Sequence, residues 1–91
     1  MKIENKAVVI PQVPQLKDYF SLITICMDSA PHGGFTPSEM LKRYKITDKL
    51  KGESVNFDSG EIEKIKEVVK STPWNFRSKE IIAFSDYIEK L

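Results

Sequence analysis

The chain is poor in the residues that most chemistries require. It has one cysteine, Cys26, and one histidine, His32. A lone cysteine excludes an intramolecular disulfide. The pair also falls short of the four ligands that a structural zinc site takes from one chain. No base and orienting group accompany either residue, and no nucleophile elbow is present. The P-loop lysine pattern and the dinucleotide glycine fingerprint are both missing. Long hydrophobic runs are missing as well. Stretches 7–10 and 22–27 are too short to span a bilayer, and residues 1–6 lack the apolar core of a signal peptide. Nor does one sign of charge dominate. Fourteen Lys and Arg face 13 Asp and Glu, for a net charge of +1. No global field therefore draws the chain to nucleic acid or a membrane. The expectation is a cytoplasmic, non-enzymatic protein with no cofactor, no metal and no small-molecule substrate.

What is present suits one small domain. The sequence has 91 residues, 41% hydrophobic and 30% charged, ordinary proportions for a globular chain. The patterning predicts an α+β fold, mostly helical. An extended N-terminal arm, residues 1–14, leads into a single domain, residues 15–91. A small two- or three-stranded β element and about three packed helices are expected. Pro11 and Pro14 bracket Gln12 and Val13, which excludes a continuous helix or a central strand there. The arm has two readings: it packs on its own domain, or it adds to an edge of a neighbouring subunit.

Further along, Leu16, Tyr19, Phe20 and Ile23 follow helical spacing, whereas residues 22–26 are largely β-branched and favour a strand. A short helix to Phe20 followed by a strand over 22–27 is one solution. A continuous helix to Met27 is the other. Gly33 and Gly34 punctuate a loop and give the backbone access to positive φ. Thr36, Pro37 and Glu39 then mark a helix start, with Thr36 as cap, Glu39 completing a capping box, and Phe35 and Met40 placed as a hydrophobic staple. Met40, Leu41 and Tyr44 share one face of that helix, while Ile46 and Leu50 fall on another. Either the helix is gripped on two sides or it breaks near Lys45 and restarts near Thr47, with Gly52 ending the element.

Residues 53–57 alternate as a half-buried strand does. Its partner is either stretch 22–27 or the arm. Asp58 and Glu61 repeat the capping-box pattern ahead of an apolar stripe at Ile62, Ile65, Val68 and Val69. Ser78 caps a last helix that buries Ile81, Phe84, Ile88 and Leu91. The expected core also takes in Leu16, Phe20, Ile23, Met40, Leu41, Tyr44, Phe57 and Trp74.

Two surfaces are candidates for function. The apolar arm residues Val8, Val9, Ile10 and Val13, with Trp74 and Phe76 in the link between the last two helices, suit a protein partner or self-association. Alternatively, Lys42, Arg43, Lys45 and Lys49 form a basic cluster. With a break near Lys45 it would mimic a helix-turn-helix and meet phosphates, or bind a host protein.

The order Ile10-Pro11-Gln12-Val13-Pro14, then Ser38-Glu39-Met40, then Pro73-Trp74 and a closing Ile82-Ala83-Phe84 helix resembles small proteins encoded in tailed-phage genomes and prophages. The likeness spans most of the chain. It implies a virion structural component, an assembly factor or a host-directed regulator, located in the host cytoplasm or the virion. It brings no catalytic residues with it.

Overall fold

A computed structural model describes residues 1–91. The chain runs β1 (Lys2–Glu4), α1 (Tyr19–Asp28), α2 (Pro37–Thr47), β2 (Ser54–Asn56), α3 (Ser59–Ser71) and α4 (Lys79–Glu89). The fold is α+β and mostly helical. Its sheet is one antiparallel pair, β1 on β2, with Ile3 opposite Val55. No helix is long and apolar enough to cross a membrane.

The N-terminal segment belongs to this domain's own core. Ile3 and Ile10 are buried. The Asn5 N–H donates to the Glu53 carbonyl at 2.8 Å, and the Val8 N–H donates to Lys17 at 2.8 Å. The Glu4 N–H donates to the Tyr87 hydroxyl at 2.9 Å, tying the arm to α4. Of its two readings, then, the arm takes the one in which it packs on its own domain. It is also the partner of β2. Removing residues 1–14 would strip two core side chains and half of the sheet, so the arm is not a separable appendage.

Residues 22–27 are helical rather than a strand. The cause is a capping arrangement with a serine at its third position. Asp18 accepts from the Ser21 N–H at 2.8 Å, and the Asp18 N–H donates back to Ser21 Oγ at 3.2 Å. Burial of Asp18 pushes its carboxyl up, but hydrogen bonds from Ser21 and Asn5 outweigh this and hold it below the ordinary value. The helix starts at Tyr19. Tyr19, Phe20, Leu22, Ile23, Cys26 and Met27 are all buried along it. Burial at these spacings outweighs a β-branched propensity cost of about 0.5 kcal/mol per residue.

The last two helices follow the sequence pattern directly. Asp58 and Glu61 form a reciprocal capping box, at 2.8 and 3.1 Å. Ile62, Ile65, Val68 and Val69 are all buried on α3. Ser78 accepts from the Ile81 N–H at 3.3 Å, and Ile81, Phe84 and Ile88 are buried on α4. Trp74 is half-buried in the link between them, edge-on to Phe76 at 5.9 Å, and both rings pack against the core.

Candidate functional site

The site begins with the way α2 is seated. Thr36 accepts from the Glu39 N–H at 3.2 Å, and Pro37 occupies the first turn, where its missing N–H costs nothing. The Glu39 side chain does not complete the capping box. It turns instead to Arg43 Nε at 3.0 Å and to Lys64 of α3. Those two cations, Lys64 foremost, hold the Glu39 carboxyl below the usual range.

Arg43 is the inward residue of α2, only 8% exposed. Its Nη1 donates to the carbonyls of Met27 at 3.1 Å and Ser29 at 3.0 Å, with Cys26 at 3.5 Å. The last carbonyls of a helix have no partners within it and carry partial negative charge. No basic residue lies in the last turn of α1. Arg43 supplies the missing cation from another helix, and the Phe35 ring lies 5.0 Å from its guanidinium carbon. Ile46 is buried beside it.

This seating turns the other face outward. At about 100° per residue, Met40, Tyr44 and Leu41 span roughly a third of the helix circumference, away from Arg43 and Ile46. Their exposures are 43%, 61% and 58%. The expectation that these three belong to the core is overturned. The inward positions are needed for the guanidinium and for Ile46, so the apolar side chains have nowhere inside to go. Met27, Phe35, Met40 and Tyr44 line a cleft of about 260 Å³ at the edge of this strip, with Asp28, Arg43 and Thr47. The spacing did carry a warning. Met40, Leu41 and Tyr44 on one face and Ile46 on another cannot all be buried by a single neighbouring layer.

The basic cluster is dispersed. Arg43 is buried and bonded to Glu39 and to the end of α1. Lys49 pairs with Glu61 at 2.8 Å. Lys42 and Lys45 are exposed and free of ion pairs, and line a cleft of about 470 Å³ with Glu63, Glu67 and Glu61. The helix does not break near Lys45. It runs unbroken to Thr47, and no second helix follows before Ser59, so a helix-turn-helix over 37–51 is absent. Gly52, at φ 75°, lies in the turn before β2 rather than at the helix end.

The arm residues separate as well. Ile10 is buried and closed to a partner, Val8 and Val13 are half-buried, and Val9 is exposed. Only Val13 joins Trp74 and Phe76, lining with Leu16 and Ile25 a third cleft of about 410 Å³. Cys26 is buried, which pushes its thiol up to about 11 against a hydrogen bond with Thr72 that lowers it, so it stays a protonated core residue near neutral pH. His32 is exposed in the Gly33–Gly34 loop.

No protein-family model, curated protein or solved structure matches this chain.

Proposed function

We propose that this protein is a non-enzymatic protein-interaction module whose docking face is the outward strip of α2. The observation that carries the reading is the exposure of Met40, Leu41 and Tyr44 on the back of a helix fixed in place by a buried arginine. Grouped apolar exposure beside a recess is the signature of a contact surface. The helix is rigidly held, so a partner meets a surface that needs little further ordering, which lowers the cost of association. Tyr44 has the character of an anchor, with a large apolar body and a polar tip.

The surface around Trp74 ranks below it, because both rings pack on the core and serve the junction of α3 and α4 first. Nucleic-acid binding has fewer supports still, since two of its four basic residues are already engaged. In the light of the resemblance to small tailed-phage proteins, a docking module of this kind suits an assembly component or a host-directed regulator.

The test needs no known partner. A surface-displayed random peptide library is selected on the wild-type protein, and the binders are then measured against the double variant Leu41→Glu/Tyr44→Glu. Binders should lose the variant while its circular dichroism and melting stay unchanged. Binders that hold both proteins equally, or a library that yields none, would overturn the reading.

A further inference from the structure

The cleft between the N-terminal arm and the link of α3 and α4 is free of charge. Val13 and Leu16 line it from one segment, Trp74 and Phe76 from the other, with Ile25 of α1. Its polar lining is hydroxyl and amide alone, including Gln15 and Asn75. The chain as a whole is 30% charged. Both clefts beside α2 hold side chains of both signs, Asp28 with Arg43 in one and Lys42 with Glu63 in the other. A charged ligand entering the third cleft would give up water without meeting a counter-charge. The lining therefore selects a neutral occupant.

The walls are tied in place. Gln12 Nε2 donates to the Arg77 carbonyl at 3.2 Å, which joins the arm to the link. Thr72 Oγ1 donates to the Val68 carbonyl at 2.7 Å, which holds the link to the end of α3. The Trp74 and Phe76 ring planes stand 71° apart, so the pair presents two apolar surfaces at an angle. The Trp74 indole N–H has no acceptor within the protein, and it is not sealed from solvent. Gln15 and Asn75 are exposed and add amide donors that the protein does not use.

We propose that this cleft binds an uncharged, proline-rich segment in the polyproline II conformation. Such a segment has no internal hydrogen bonds. Its carbonyls are free to accept from the Trp74 indole and from Gln15 or Asn75. Its pyrrolidine rings pack on aromatic side chains, the way aromatic-lined grooves take proline-rich ligands. It is extended before it binds, so little ordering opposes association. An amphipathic helix fits less well, because its carbonyls are spent within the helix and would leave the cleft's donors unmet. An added strand has no sheet edge to join, since neither β1 nor β2 lines the cleft. No residue of the α2 strip lines it either, so this inference does not depend on the docking reading above.

Trp74 is the only tryptophan, so its indole N–H gives one resolved resonance in the isotope-labelled protein. The whole protein is titrated with a blocked deca-proline peptide, a blocked glycine–serine peptide of equal length, and N-acetylprolinamide. Deca-proline should move the indole resonance and the side-chain amides of Gln15 and Asn75. It should bind about tenfold or more tighter than the glycine–serine peptide, with little change on adding salt. Ile25 is 40% exposed. Ile25→Lys puts a charge into the neutral lining and should abolish binding at an unchanged melting temperature. No shift at millimolar deca-proline, or equal binding of the glycine–serine peptide, would overturn the proposal. Equal binding of N-acetylprolinamide would overturn it in favour of a small neutral amide. Binding that survives Ile25→Lys, or that Leu41→Glu/Tyr44→Glu abolishes, would place the peptide elsewhere and overturn it too.

Discussion

Helices α2 and α3 begin alike and end up opposite. Each opens on a side-chain cap, Thr36 or Asp58, with a glutamate at the third helical position. In α3 that glutamate, Glu61, reaches back to close the box, and the apolar stripe turns in. In α2 the glutamate, Glu39, reaches sideways to Arg43 and Lys64, and the apolar stripe turns out. The two differ in what their inward face must satisfy. Helix α3 meets apolar side chains of α1 and α4, so burial of Ile62, Ile65, Val68 and Val69 decides its orientation. Helix α2 meets the carbonyl end of α1, so a guanidinium decides it.

The largest test of that contrast lies in α3. Ile65 is fully buried, and Ile65→Ala should cost about 4 kcal/mol, the lost transfer free energy plus the cavity left behind. Chemical denaturation would read this as a lower midpoint with an unchanged slope. A loss near zero would mean that α3 is not held by its stripe and that the contrast with α2 is unfounded.

Next in size is the polar seat of α2. Arg43→Ala takes the guanidinium donor from the Met27 and Ser29 carbonyls at the end of α1 and deprives Glu39 of one cation. A loss of about 3 kcal/mol is expected, typical of breaking a buried charged network. The same joint sets an acid response. Glu39 has a lowered folded-state pKa, so its contribution is fully present above the unfolded value, near 4.5, and is lost as pH falls through the folded one. Melting temperature against pH should therefore drop on the acid side in the wild type. In Arg43→Ala that drop should shrink without vanishing, because Lys64 remains. An unaltered acid limb would mean that Arg43 does not act on Glu39.

How much was legible in the sequence follows the same divide. Where burial of an amphipathic stripe decides the outcome, local spacing suffices, and α3 and α4 appear with their caps and their inward residues. Where a long-range polar contact decides, spacing misleads. Arg43 lies sixteen residues from its Met27 acceptor, and nothing near either position announces the pairing. The basic cluster therefore looked like a surface feature, and Met40, Leu41 and Tyr44 looked like core. Helix α1 failed differently: its β-branched residues argued for a strand, and the Asp18–Ser21 cap lacks the glutamate that marks the usual box. The arm was legible as extended, but only the structure pairs it with β2 and buries Ile3 and Ile10. Of the site itself, Phe35 and Met40 were visible as a pair and the lysines as a cluster; the outward strip between them was not.

The smallest expected effect is the sharpest discriminator. Leu41→Gln exchanges an exposed leucine for a polar side chain of similar helix propensity, and the stability change should stay within about 0.5 kcal/mol of zero. The equivalent change at Ile65 would place an unpaired amide in the core and unfold the domain. A polar residue at position 41 would serve the isolated fold as well as leucine does, so leucine there brings the folded domain no stability of its own. Under the docking proposal, its benefit comes instead from contact with a partner. Thermal melting of Leu41→Gln beside wild type decides the matter. An unchanged melting temperature leaves docking as the reason for the strip, whereas a loss comparable to that of Ile65→Ala would return Leu41 to the core and remove the surface on which the proposed function stands.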